Sequence, residues 1–443
     1  YWRTLTTGKS FGIPHDTYGL LENGDVFGLT AHDPETTELT VNGESKVVTG
    51  DMDEIWQKIG GRIEVSGMTT TSVMGAFRAM ISHYDAREED LNLMMTGGPD
   101  GDLGANEIQC YKGKICLIID GGSILFDPDG LDKEALMKIG FMRHTSPRIN
   151  SLGYPVEKLG KNGFQVPLRA KNITLPDGRF IEDGAIFHRQ FITDPANRKY
   201  IKQADIRAFI PCGGFKDTVN RSNVREFTEN FNELRFIVEG ANVFFDDAAR
   251  RHIAASTPIK QIKDSTANKG GVFSSAVAEV LTAFLFNDAY EKRLLEDMAT
   301  RWELIRGIME LVSTYAAAET DMLLRIHEAA PQTPLFMLSV QTSEQIFSFM
   351  NLVSAHLESV AADEDLLWEV LKSYIPRGLV KTLGKEAILL TLNTEKLVAY
   401  RNAIITKKMA SLAFYAHGTA WKSYTAEAEK DFMGSMKALF TTD

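Results

Sequence analysis

The 443-residue chain is 44% hydrophobic and 24% charged and carries a formal net charge of −11, a balance ordinary for a globular protein of two to three domains. That acidity, with no basic run to offset it, excludes a nucleic-acid binder that works by neutralising phosphates. The three cysteines, Cys110, Cys116 and Cys212, form no C-x-x-C pair, so no disulfide framework is expected, and no apolar run reaches the roughly 18 residues of a membrane span.

Taken in chain order, residues 1–19 are loop punctuated by Gly8, Gly12, Pro14 and Gly19. Thr7-Gly8-Lys9-Ser10 echoes the end of a P-loop, but Arg3 stands where that motif needs its first glycine, and no strand precedes it. Residues 20–66 read as a β-rich insert, because residues 37–41 and 44–48 flank Asn42-Gly43, a dipeptide that takes the positive φ angles of a two-residue hairpin turn. From Met68 the period changes: Val73, Phe77, Met80 and Ile81 recur at helical spacing.

Residues 91–95 are an apolar run of strand length that stops at Gly97-Gly98-Pro99-Asp100-Gly101-Asp102-Leu103-Gly104, after which 105–108 can open a helix. A second apolar run, 115–119, ends at Asp120. Strand, glycine turn, helix and strand make a βαβ unit with parallel strands. Residues 206–210, 234–238 and 259–262 repeat the strand-then-turn pattern, ending before Pro211, Gly240 and Asp264. The expected fold is therefore α/β, a doubly wound Rossmann-type sheet. Residues 141–200 interrupt the rhythm with a turn at Leu175-Pro176-Asp177-Gly178-Arg179 and are expected to form an excursion between sheet strands.

Beyond Ser274 the chain reads as mostly helical. Leu294, Met298, Trp302, Ile305, Met309, Val312 and Tyr315 hold one apolar stripe, and Phe347, Met350, Val353 and Leu357 hold another after a start at Thr342-Ser343. Both stripes are expected to be packing or subunit-contact faces. The expected division is 1–19 as the end of a preceding domain, 20–66 as the insert, 67–285 as the dinucleotide-binding domain and 286–443 as a helical region.

The glycine turn carries the chemistry. A pyrophosphate binds at a helix N-terminus, where free backbone N–H groups and the helix dipole both favour an anion. Gly101 suits close backbone approach, and Gly104 suits tight packing of helix on strand. Pro99 occupies the place of the first fingerprint glycine, which leaves the tight turn to Gly97 and Gly98. Asp100 and Asp102 are expected to cap the helix or face solvent. Asp120 lies 19 residues beyond Gly101, at the end of the second strand, where an acid accepts hydrogen bonds from the adenosine ribose. Gly121-Gly122-Ser123 offers no cation to a 2′-phosphate, so NAD is expected in preference to NADP.

Four ordered blocks carry a family resemblance. Residues 119–132, with Asp120-Gly121-Gly122-Ser123, resemble the second strand and following loop of glutamate dehydrogenases. Ile210-Pro211-Cys212-Gly213-Gly214, Val238-Glu239-Gly240-Ala241-Asn242 and Thr266-Ala267-Asn268-Lys269-Gly270-Gly271-Val272 are similar to three further blocks of that family. The segments 8–19 and 96–104 resemble its large, NAD-specific branch. The resemblance implies NAD-dependent oxidative deamination of L-glutamate to 2-oxoglutarate and ammonia. Carried over by position, Gly98, Asp100, Gly101, Asp102, Leu103 and Gly104 form the phosphate turn, and Asp120 holds the ribose. Asn242 and Asn268 meet the nicotinamide half, and Val272 and Ser275 meet the substrate. The family's catalytic lysine and aspartate are expected upstream of Tyr1, so no catalytic residue is assigned here and the isolated chain is expected to be inactive. The resemblance further implies a homo-oligomer in the cytoplasm or mitochondrial matrix, with a small-molecule substrate and no nucleic-acid or membrane partner. A leucine-, phenylalanine- or valine-type amino-acid dehydrogenase, or an NAD-sensing oligomerisation module, are the competing readings.

Overall fold

The computed structural model describes residues 18–20, 26–33, 36–41, 44–48, 64–65, 67–141, 149–290, 292–293 and 297–440. The chain forms two compact units, one within Pro14–Gly270 and the other containing Gly271–Asp443. The segment 8–19 therefore falls, apart from Tyr18 and Gly19, outside the described residues.

The first unit opens with an antiparallel sheet of β1 (Tyr18–Leu20), β2 (Val26–Asp33), β3 (Thr36–Val41), β4 (Glu44–Val48) and β5 (Glu64–Val65), in the order β4-β3-β2-β1-β5. The expected hairpin is β3–β4, closed by the pair Val41 and Glu44; its turn, Asn42-Gly43, lies outside the described residues. Helix Met68–His83 follows and buries Val73, Phe77, Met80 and Ile81, as their spacing requires.

The main sheet comprises β6 (Asn92–Thr96), β7 (Ile115–Ile119), β8 (Ser123–Phe126) and β9 (Phe164–Pro167). After a separate hairpin of β10 (Lys171–Thr174) and β11 (Phe180–Asp183), the chain returns to it as β12 (Ile206–Pro211), β13 (Phe236–Val238) and β14 (Lys260–Ile262). Its order is β14-β13-β12-β6-β7-β8-β9. The five strands from β14 to β7 are parallel. Every residue of β7 and β13 is buried, as expected of a parallel sheet covered on both faces. From β6 the chain steps outward to β7, and it later returns past β6 to β12 and steps outward the other way. That reversal opens a crevice at the carboxyl ends of β6 and β12.

Two parts of this sheet differ from the sequence expectation. Residues 123–126, read as loop, form β8, antiparallel to β7. Asp120 folds the chain back, because its N–H donates to the Ser123 carbonyl and its Oδ1 accepts from the Gly122 and Ser123 amides, which returns the apolar Ile124, Leu125 and Phe126 to the core. The excursion at 141–200 also supplies β9 to the sheet edge. Its expected turn closes β10–β11, with the Leu175 amide donating to the Arg179 carbonyl at 2.8 Å.

The second unit is helical where described. Helix Met298–Ala329 buries Leu304, Ile305, Ile308 and Val312. Helix Leu335–Ala355 begins at Pro334, not at Thr342-Ser343. Thr342 is buried mid-helix, and the Ser343 hydroxyl bonds back to the Ser339 carbonyl instead of capping. Its buried face is Leu338, Thr342, Ile346, Phe349 and Val353; Phe347 is 59% exposed, with the Lys407 ammonium over its ring. The segment Asp264–Ala289 is long and apolar enough to cross a membrane by length and composition, a test that a core helix of a folded domain also passes.

Candidate functional site

The carboxyl ends of the five parallel strands carry one set of loops. Gly97, just after β6, has φ +78° and sits so close to the loop after β12 that a Cβ there would stand 2.6 Å from the Gly213 amide nitrogen. Glycine is needed on both counts. The two loops are laced together, with the Cys212 amide donating to the Thr96 carbonyl and the Thr96 hydroxyl to the Gly213 carbonyl, each at 2.7 Å. Gly97 thus supplies the tight turn in place of Pro99.

The turn then closes on itself. A Cβ on Gly104 would overlap the Gly98 carbonyl oxygen, and one on Gly98 would overlap the Asp120 carboxylate. Gly101 is the N-cap of helix Asp102–Cys110, in an extended conformation and with no side chain of its own to cap it. Only the Gly98 carbonyl, at 3.5 Å, would lie near a Gly101 Cβ. The first N–H groups of the helix have no intrahelical acceptor, and no side chain stands at Gly101 itself to block approach to them. Leu103 faces the other way, and its Cδ2 would stand 2.8 Å from a Cβ on Gly240 at the end of β13.

Asp120 is 6% exposed. Its Oδ1 accepts from the amides of Gly122 at 2.8 Å and Ser123 at 3.1 Å and from the Ser151 hydroxyl, and its Oδ2 accepts from the Ser151 amide at 2.9 Å. Four donors match the roughly four lone-pair sites of a carboxylate. The acid is therefore at the expected place, beside Gly98 at the end of β7, but its acceptors serve the chain. His188 Nε2 donates to its backbone carbonyl at 2.7 Å. Ser151 gave no signal in the sequence, since it reaches Asp120 only through the fold.

The loops after β13 and β14 form the other flank. Asn268 Nδ2 donates to Asn242 Oδ1 at 2.7 Å and to the Gly240 carbonyl at 2.9 Å, so two asparagines 26 positions apart meet side chain to side chain. Beneath them lies an ionic cluster that the sequence reading missed. Glu239 is fully buried and takes a bidentate pair from Arg250, at 2.9 Å from Nε and 2.6 Å from Nη2, with the Gln261 amide adding a third bond at 3.0 Å. Arg250 also pairs with Asp247 at 2.9 Å, and its Nη2 lies 3.7 Å from Asp264. Burial raises the Glu239 carboxyl to about 7, opposed by Arg250. Burial works against the Arg250 charge, but its carboxylate partners outweigh that and hold its pKa above the ordinary value. Glu239 lies inside a recognisable sequence block; nothing along the chain pointed to Arg250.

The substrate candidates Val272 and Ser275 fall in the second unit. Val272 is 77% exposed on the short helix Gly270–Ser274, and Ser275 opens the π-helical segment Ser275–Leu281.

Residues 60–330 match the family model described as Glutamate/Leucine/Phenylalanine/Valine dehydrogenase. The chain belongs to this dehydrogenase family. Glutamate dehydrogenase 2 of Dictyostelium discoideum is 30% identical over 428 residues, which cover 94% of this chain and 34% of that protein. The NAD-specific glutamate dehydrogenase of Neurospora crassa is 28% identical over 98% of this chain and 35% of its own length. The chain thus spans about a third of the length of these relatives. Among solved structures, Plasmodium falciparum glutamate dehydrogenase 2 aligns with a TM-score of 0.40 at 15% identity, over 60% of this chain and 48% of that one.

Proposed function

We propose that this chain is the cofactor-binding part of an NAD-dependent glutamate dehydrogenase, which deaminates L-glutamate oxidatively to 2-oxoglutarate and ammonia. The observation that carries the reading is the glycine turn at the switch point, with open backbone around Gly101 and Asp120 behind Gly98. Bound NAD would supply the hydride acceptor. The residues present fit such a group: the amides of Asp102, Leu103 and Gly104 face the pyrophosphate from the helix start, and the side-chain-free surface at Gly101 lets it approach. Asp100 borders that surface.

The β7 flank takes the adenosine half. Asp120 shapes the Gly121-Gly122 turn through its own hydrogen bonds, and its charge beside the ribose disfavours a 2′-phosphate. The opposite flank, with Asn242 and Asn268, receives the nicotinamide half. Val272 and Ser275 serve the substrate, and glutamate is favoured over the family's other amino acids because the relatives matched are named glutamate dehydrogenases. The helical unit exposes Val340, Phe347 and Leu390, apolar side chains that suit contact within a homo-oligomer; light scattering of the purified chain tests this.

Titration of the purified chain with NAD and NADP tests the cofactor reading. NAD binds more tightly, and Asp120→Ala narrows the preference by weakening NAD more than NADP. Equal affinity for both in the unaltered chain, or equal losses in the variant, would refute the assignment of Asp120.

A further inference from the structure

Val243 sits between Asn242 and the buried Phe244 with φ +52°. A β-branched residue in the left-handed region is a true outlier, disfavoured by contact of Cβ with the backbone, and it persists only where its surroundings hold it. Here the holder is identifiable. The Val243 amide donates to Asp264 Oδ2 at 2.7 Å, while Asp264 Oδ1 takes the Ser265 amide at 2.7 Å. From the other side, the Val243 carbonyl accepts from the Asp217 amide, also at 2.7 Å. Asp264 is itself 6% exposed and faces the Arg250 guanidinium at 3.7 Å. One carboxylate therefore joins the loop after β13 to the loop after β14, and the same two loops carry Asn242 and Asn268.

Val243 is 40% exposed and lies outside the buried core. Its side chain gains little from the strained conformation. What the conformation does is turn the chain sharply after Asn242, so that the Asn242 Oδ1 meets Asn268 Nδ2 and the asparagine stays at the exposed rim of the crevice.

We infer that Asp264 is a positioning residue for the nicotinamide side of the crevice: it holds Val243 in the left-handed conformation and thereby sets Asn242 against Asn268. The inference rests on the cofactor reading above and adds to it a residue that touches neither cofactor nor substrate. Because the adenosine half and pyrophosphate lie on the β6 and β7 side, Asp264 acts on one half of the dinucleotide only.

The test compares NAD with ADP-ribose, which lacks the nicotinamide, in the full chain. Asp264→Ala weakens NAD about 10-fold or more, the scale of losses caused by small displacements of binding groups, and leaves ADP-ribose affinity within about twofold, a change of under half a kcal/mol by the tenfold-per-1.4 relation. Asp264→Asn, which keeps a single carbonyl acceptor, gives a smaller loss in the same direction and serves if the alanine variant folds poorly. Adding Val243→Gly to Asp264→Ala recovers NAD binding, because glycine takes φ +52° without a holder. Equal loss of both ligands, unchanged NAD affinity in Asp264→Ala, or no recovery with Val243→Gly overturns the inference while leaving the cofactor reading intact. If the unaltered chain binds neither ligand, the cofactor reading falls and this inference with it.

Discussion

On the β7 flank of the crevice the chain makes room by leaving side chains out, with Gly97, Gly98 and Gly104 packed against backbone and against Asp120. On the β13 and β14 flank it holds its loops with buried charge, Glu239, Arg250 and Asp264 beneath Asn242 and Asn268. The difference follows from what each flank must do. A pyrophosphate is bound by backbone amides, which need close approach and no intervening atoms. Side-chain amides need a fixed platform, and fixed loops far from any regular hydrogen-bond ladder need strong local anchors. Even the acid on the first flank follows its local rule: Asp120 spends its acceptors on the turn that brings β8 back to β7.

This contrast can be broken by substitution, most severely on the charged flank. Arg250→Ala leaves Glu239 fully buried without its bidentate partner, and breaking such a pair costs about 3–5 kcal/mol; chemical denaturation reads this as a large drop in midpoint. A loss under about 1 kcal/mol would show that the cluster is dispensable. The same cluster has a pH signature. Glu239 has a folded-state pKa raised to about 7, above the roughly 4.3 of an unfolded glutamate. Between those values the folded chain binds the extra proton, so stability falls as pH rises from about 4.3 to about 7 and levels off above. Denaturation midpoints across that window should show a slope that Glu239→Gln removes.

Next in size is the glycine flank. Gly104→Ala would ordinarily favour a helix by about 1 kcal/mol, but here the new methyl meets the Gly98 carbonyl, and overpacking of this kind costs about 1–3 kcal/mol. The sign of the change is therefore the test: destabilisation with loss of NAD binding is expected, and a stabilised variant would mean that the turn is open. Ser151→Ala removes one of four donors to Asp120 and should cost about 1.5–3 kcal/mol, the range for hydrogen bonds to charged groups, with a smaller effect on NAD affinity than Asp120→Ala. Smallest is Val243→Gly alone. Relief of about 1–2 kcal/mol of left-handed strain is offset by the entropy of a new glycine, about 0.4–1 kcal/mol, so the melting temperature should move little and NAD affinity should hold.

The sequence by itself determined the parallel strands and where they end. Apolar runs bounded by Gly, Pro and Asp located β6, β7, β12, β13 and β14 to within two residues, because a doubly covered parallel strand must be apolar along its length. The glycine turn was legible for a similar reason, as no other residue permits such approach. The apolar stripes of the helical region were legible as helix but were misjudged in phase at Phe347, where neighbours one and two positions away, Ile346 and Phe349, take the buried face. Only the tertiary structure decided the partners. That β8 turns back onto β7, that Ser151 saturates Asp120, that Asn242 meets Asn268, and that Arg250 and Asp264 brace the loop at Val243 are all contacts between residues distant along the chain. A side chain's hydrogen-bonding capacity is written in its residue type, but which groups fill that capacity depends on what the fold brings within about 3 Å.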